Sequence, residues 1–289
     1  MTDDSDDASV PCILSFNAND PSGAGGLACD TVVIASVGGH ALPVITGTYV
    51  SDTAKVFDHF AMDDEAVEEQ ARSILEDITP QAIKVGFAGT PENLSTIAEV
   101  CSDYNDVPVI AYMPDLSWWE DNLIDSYLDA CTELLLPQIS VLCGNYSTLR
   151  RWLLPDWESD RAPTARDIAR AASEHGVPYV VVTGMHSVDQ HIDNALASPE
   201  TVLHEQRFER FEAIFTGAGE TLSAAIAALI GNGTDLTAAM QEALLYLDQS
   251  LNAGFRPGMG HVIPDRMFWA TPDESEEETD DATPVTRLQ

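Results

Sequence analysis

The sequence predicts a single α/β domain with a mostly parallel central sheet and helices on both faces. Three observations carry this expectation. The chain has 289 residues, a length that one core still serves. Its hydrophobic fraction of 45% is ample for a sizeable core and argues against global disorder. Short apolar runs that end at Gly, Asn or Pro alternate with longer amphipathic segments, the pattern of strands followed by crossover helices.

The elements follow in that order. Residues 10–16 read as a strand, 22–37 as a helix opened by glycines, and 41–49 as the next strand. A helix over 63–78 leads to a strand at 82–87. Pro91, at a first turn, starts a helix over 91–101, and 107–112 and 119–136 read as strand and helix. The apolar run 139–143 stops at Gly144-Asn145, and an alanine-rich helix covers 163–174. Val180, Val181 and Val182 make 179–183 almost purely β-branched, so this strand is expected to be central and buried. Helices over 219–229 and 236–251 close the domain, the first so rich in small apolar residues that it should pack on the sheet. The domain is expected over 10–272. Acidic tails at 1–9 and 273–289 have little to bury, which predicts disorder at both ends.

The formal net charge is -35 at pH 7, and Lys55 and Lys84 are the only lysines. A surface this negative repels nucleic-acid phosphates and anionic lipid, and no run of about 18 apolar residues is present to span a bilayer. Nucleic-acid and membrane roles are therefore not expected. The acidity fits either solubility at high salt or a compositional bias toward arginine and acids. Cys12, Cys29, Cys101, Cys131 and Cys143 form an odd set without C-x-x-C spacing, which indicates neither a disulfide framework nor a zinc site. The first residues lack the basic-then-apolar order of a signal peptide, so the expected location is the cytoplasm.

In open parallel sheets ligands bind beyond the carboxyl ends of the strands, which directs attention to the loops there. Phe215-Thr216-Gly217-Ala218-Gly219-Glu220-Thr221 runs straight into the helix at 219–229. Gly217, Ala218 and Gly219 let the backbone approach an oxygen-rich ligand, the first-turn N–H groups attract anions, and Thr216 adds a hydroxyl. Glu220 either complements the helix dipole or accepts a proton from an alcohol while the loop amides stabilise a transferring phosphoryl group. No G-K-[ST] ending follows, so this is not a Walker loop.

A second loop, Asn17-Ala18-Asn19-Asp20-Pro21-Ser22-Gly23-Ala24-Gly25-Gly26-Leu27-Ala28-Cys29-Asp30, resembles the D-P-S-G-G-A-G-x-x-A-D segment of hydroxymethylpyrimidine and phosphomethylpyrimidine kinases, the thiamin-biosynthetic branch of the ribokinase-like superfamily. Similar stretches follow in the family's order: Val44-Ile45-Thr46, Ala82 to Gly86, Leu135 to Asn145, Val180 to His186, Gly217 to Ala225, and Gly258-Met259-Gly260-His261. The resemblance implies a ribokinase-like fold and ATP- and Mg2+-dependent phosphorylation of 4-amino-5-hydroxymethyl-2-methylpyrimidine and its monophosphate. It places Asp30, Ala18 and Gly25 against the substrate, with Phe87 as a wall or as core packing. Asn145, Thr183, Gly184 and Thr216 fall on the nucleotide side, and a homodimer is expected by analogy.

The chain departs from the pattern at several positions. Glu220 stands where this branch usually has cysteine and the wider superfamily aspartate. Ser51 takes the place of a ring-reading glutamine, Thr148 that of a glutamate, Thr183 that of the lysine in a K-G-G-H run, and Tyr112-Met113-Pro114 that of an Asp-Pro pair. Arg150 and Arg151 either compensate for charge or are solvated, and the metal ligands are unassigned. The alternatives are pyridoxal kinase, which shares the resemblance and acts on a hydroxymethyl heteroaromatic, and a catalytically impaired pyrimidine-binding homologue.

Overall fold

The computed structural model describes residues 10–187 and 190–270; the acidic ends for which disorder was expected lie outside the described residues. Nine strands form one sheet in the order β3-β2-β1-β4-β5-β6-β7-β8-β9. The parallel part comprises β1 (Cys12–Asn19), β2 (His40–Ser51), β4 (Ala82–Val85), β5 (Val109–Met113), β6 (Val141–Asn145) and β7 (Tyr179–His186). β3 (Val56–Ala61) pairs antiparallel with β2 at one edge, and β8 (His191–Ala197) and β9 (Val202–Glu209) complete the other.

The helices sort onto two faces by their apolar stripes. α1 (Gly26–Ser36), α7 (Ala218–Gly231) and α8 (Leu236–Asn252) cover one, around Cys29, Val33, Ile226 and Leu244. α7 does pack closely on the sheet, because Ala224, Ala225, Ala227 and Ala228 put little bulk between backbone and strands and are all buried. The other face carries α2 (Asp64–Leu75), α3 (Pro91–Asp103), α4 (Asp121–Ala130), α5 (Tyr146–Leu153) and α6 (Ala165–Ser173).

The expected strands and helices are present with shifted ends. The helix expected over 119–136 is α4 followed by a π turn at Cys131–Leu135 and a 3-10 turn at Leu136–Gln138. β7 is buried as expected, with Val180, Val181 and Val182 fully enclosed, an effect of about 1.5–3 kcal/mol per valine. It is interior rather than central, since β8 and β9 lie outside it. The periodicity did not announce β3, α5, β8 or β9. β3 is largely exposed on both faces, so no alternation is imposed on it; β9 does alternate, but His204 and Gln206 beside Phe208 on its half-buried face give no apolar period, and α5 has only 8 residues, about two turns of pattern.

Candidate active site

The site forms where β1 ends and α1 and α7 begin. Asp20 builds the first loop: one carboxylate oxygen accepts from Ser22 N–H at 2.9 Å and from the Ser51 hydroxyl at 2.8 Å. The other accepts from the Ser22 hydroxyl at 2.8 Å and from Gly25 N–H at 2.9 Å. Gly25 has no room for a side chain, because a Cβ there would lie 2.0 Å from Glu220 Oε2. α7 starts after Gly217, whose φ of +87° and close approach to the Ala24 carbonyl exclude any other residue without displacement.

Thr221 N–H makes the first bond of α7, to Gly217 O at 2.9 Å. The amides of Ala218, Gly219 and Glu220 thus belong to the helix's open N-terminal turn. Arg266 clamps this junction from the C-terminal segment: its guanidinium donates to Thr221 Oγ1 and Gly23 O, each at 3.0 Å, and to Ala24 O. Arg266 is buried, and nothing in the local sequence marked it.

Two cavities meet at this turn. One, of about 310 Å³, is lined by Asn145, Thr183, Gly184, Ala218 and Gly219, with apolar walls from Phe208, Phe211, Leu244 and Leu247. The other, of about 460 Å³, is lined by Gly25, Tyr49, Ser51, Trp118, Thr216, Glu220 and His261. Tyr112, Phe215 and Gly217 border both. A flat ring can enter either, while the amide turn stands between them.

Behind Glu220 lies a buried polar network. Lys84 donates to the two oxygens of Asp30 at 2.7 and 2.8 Å, and Ser15 adds a bond of 2.9 Å to the same carboxylate. Asn17 Nδ2 donates to Asp30 Oδ2 at 3.0 Å and to Glu220 Oε1 at 3.3 Å. Glu220 Oε2 accepts from Gly26 N–H at 2.7 Å. Burial pushes the Glu220 carboxyl above the usual carboxylate range; Lys84 opposes that, Asp30 adds to it, and the Gly26 and Asn17 donors oppose it. Burial alone would lower the Lys84 ammonium, but Asp30 and Glu220 hold it above its ordinary value.

The expected site residues divide by position. Glu220, Gly25 and Ser51 line the larger cavity, Ala218 and Gly219 the smaller, and Gly217 both. Asn145, Thr183 and Gly184, three of the residues expected on the nucleotide side, come together on the smaller one. Thr216 sits on the opposite side, its hydroxyl 2.9 Å from His261 Nδ1. Three of the residues placed against substrate line neither cavity. Asp30 is fully enclosed with its carboxylate occupied by Lys84, Ser15 and Asn17. Ala18 is covered by the loop above it, and Phe87 stands behind Tyr49 with ring centroids 5.4 Å apart.

Tyr49 and Trp118, not Phe87, therefore present the aromatic surface to the larger cavity, backed by Trp119 and Tyr127. Arg150 and Arg151 line neither cavity, and Arg151 instead reaches Asp115 at 3.3 Å. Sequence reading missed Asn17, Lys84 as the partner of Asp30, and the apolar walls from Phe208, Phe211, Leu244 and Leu247. The only available signal for the first two was a polar side chain inside each of two apolar strands.

The family model for phosphomethylpyrimidine kinase matches residues 20–265. The chain belongs to the phosphomethylpyrimidine kinase family. Among its relatives, the hydroxymethylpyrimidine/phosphomethylpyrimidine kinase of Streptomyces coelicolor is 27% identical over 272 residues, covering 93% of this chain and 99% of the relative. The enzyme of the same name from Escherichia coli is 26% identical, covering 86% and 94%. A Bacillus subtilis pyridoxal kinase, solved as an ADP complex, superposes with a TM-score of 0.80 at 20% identity over 91% of this chain and 100% of that one. A Clostridium difficile phosphomethylpyrimidine kinase gives 0.67 at 21%, over 84% and 99%. At these identities the structural likeness establishes the ribokinase-like fold. The family and its named kinase relatives make the chain a phosphotransferase, and its two cavities meet at the open N-terminal turn of α7.

Proposed function

We propose that this family member transfers the γ-phosphoryl group of magnesium–ATP to the hydroxymethyl oxygen of 4-amino-5-hydroxymethyl-2-methylpyrimidine, or to the phosphate of its monophosphate, in thiamin biosynthesis. The observation that carries the reading is the meeting of the two cavities at Gly217–Gly219 with Glu220 on the larger one. ATP occupies the smaller cavity, its base between the Phe208, Phe211, Leu244 and Leu247 walls. Its phosphates point toward the amides of Ala218 and Gly219, which offset the charge on the transferring group. The pyrimidine lies against Tyr49 and Trp118 in the larger cavity, where the Ser51 and Asp20 side chains meet its polar edge. Glu220 takes the hydroxyl proton.

Magnesium enters as part of the nucleotide substrate. Among the described residues no group of three His, Cys, Asp or Glu side chains is placed to hold a metal ion, and Asn145 Oδ1 already accepts from Ser147 N–H and its hydroxyl. The nucleotide phosphates are then the ion's main ligands. A cytoplasmic location fits a reaction that consumes ATP. A homodimer is part of the same proposal, supported by Ile45, Val50, Phe57 and Phe60, which stand exposed on the β2–β3 ribbon.

The test is incubation with the pyrimidine alcohol, ATP and magnesium, with pyridoxal as the competing acceptor. Phosphorylated pyrimidine is expected. Glu220→Gln should lose about 10²–10⁴-fold in turnover, the usual share of a general base, while still binding both substrates. A fully active variant refutes the role of Glu220; binding without turnover in the unaltered protein would support the impaired homologue instead.

A further inference from the structure

Asn17 sits at the end of β1, fully buried, and its amide has one orientation open to it. Its Oδ1 accepts from Ala18 N–H at 2.9 Å and from Phe87 N–H at 3.0 Å. Exchanging the amide's oxygen and nitrogen would set its NH2 against two N–H donors, so the assignment follows from the network. The NH2 group must then face the two carboxylates, one proton toward Asp30 Oδ2 and one toward Glu220 Oε1. A Cβ on Gly86 would lie 2.4 Å from this side chain, so the amide has no space to turn away.

From this geometry we infer that Asn17 is a positioning residue for phosphoryl transfer, which keeps Glu220 ionised and directed at the acceptor cavity. The inference rests on the reading of Glu220 as the base. Asp30 and Glu220 share one buried cation, Lys84, so the cluster with both acids ionised carries one net negative charge. A neutral group donating to both relieves their mutual repulsion without adding charge. A cation at this position would weaken Glu220 as a base, and a carboxylate would add a third negative charge.

The reaction then removes the imbalance. The acceptor oxygen forms its bond to the γ-phosphorus, the bond from that phosphorus to the ADP oxygen breaks, and the hydroxyl proton passes to Glu220. The cluster becomes Lys84 ammonium, Asp30 carboxylate and neutral Glu220. Other elements also face Glu220: Asp20 from the first loop, Cys29 from α1, Tyr49 from β2 and Tyr112 from β5. Burial pushes the Cys29 thiol up to about 12 and holds both tyrosine hydroxyls above their ordinary values. These three are therefore neutral during turnover; the charges that bear most on Glu220 are those of Lys84 and Asp30, with Asp20 and the buried Arg266 guanidinium on Thr221 and Ala24 close by.

The experiment is the pH profile of turnover for the full-length protein and Asn17→Asp, with folding checked by thermal melting. The third carboxyl should move the acidic limb upward by about one pH unit or more. Turnover at pH 7 should fall roughly tenfold and recover in alkaline buffer, with KM for ATP within about twofold. If Asn17→Asp does not fold, Asn17→Ala, which withdraws one donor from Glu220, should also raise the limb. A loss equal at every pH, or an unshifted limb, overturns the inference. Glu220→Gln separates the two claims: an inactive Glu220→Gln beside an unshifted Asn17→Asp sinks only the positioning role. A fully active Glu220→Gln sinks the base assignment on which that role depends.

Discussion

Replacing Lys84 with methionine removes the sole cation of the buried cluster and leaves its stem volume nearly unchanged. Lys84 and Asp30 are both fully enclosed, 2.7 Å apart. Breaking such a pair by deleting one partner costs about 3–5 kcal/mol, because the other charge is left without compensation. Against a total stability of about 5–15 kcal/mol, that is a large share. At about 2–4 °C per kcal/mol for a large domain, the melting temperature should fall by about 6–20 °C.

The pH dependence has a definite sign. Without Lys84 the Glu220 carboxyl, already raised by burial, rises further above its unfolded value. A raised carboxyl contributes stability that is complete below its unfolded pKa, about 4, and is lost as pH climbs through the folded value. The deficit of Lys84→Met should therefore be smallest near pH 4 and grow toward pH 8. Adding Asp30→Asn should recover much of the loss, since removing both charges of a buried pair is far milder than removing one. In the unaltered protein Lys84 is itself held above its ordinary value. Its contribution is complete below about pH 10 and disappears only as pH passes its raised folded value. Thermal melts from pH 4 to 9 measure all of this. An equal melting temperature for Lys84→Met at pH 8, or a deficit that does not change with pH, refutes the electrostatic reasoning.

Gly25→Ala places a methyl group 2.0 Å from Glu220 Oε2, so the carboxylate or the loop must move by more than 1 Å on van der Waals grounds. Turnover should fall by about 10²-fold, as for misplacement on that scale, and a near-normal rate would show that Glu220 need not hold its present position. On the other face of the sheet, Asp167 closes a capping box with Thr164 and accepts from Arg161 at 2.7 and 3.0 Å. The Arg161 guanidinium and then the Thr164 donors hold its carboxyl well below the usual range. Asp167→Asn should cost about 1 kcal/mol at pH 7. Because a lowered carboxyl contributes above its unfolded pKa and fades as pH drops toward the folded one, the difference should shrink below about pH 4 in paired urea melts. A constant difference would assign the effect to packing.

How much of the site was legible depended on where its chemistry is written. The Thr216 to Glu220 turn was readable because glycines beside a helix start and an acid are local features, and the structure sets them at the join of the two cavities. The Asp20 to Gly26 loop was readable for the same reason. Asp30 was placed against substrate by resemblance, yet α1 turns it inward to Lys84 on β4. Phe87, expected as a wall or as core packing, stands behind Tyr49, because the two rings stack and only their order from the cavity outward distinguishes a wall from its backing.

The alternation of apolar runs with amphipathic segments determined the α/β class and the core strands and helices, since burial on a sheet imposes its period on each element separately. It could not determine β3 and β9, edge strands held by backbone pairing with one neighbour each, nor β8, whose buried half mixes Asn194 with Ala195, Leu196 and Ala197 and so shows no apolar period. Nor could it determine the network of Lys84, Asp30, Asn17 and Glu220, whose members come from β4, α1, β1 and α7. Parallel strands and crossover helices bring together residues as far apart as Asn17 and Glu220, and a charge balance among buried groups exists only once they touch.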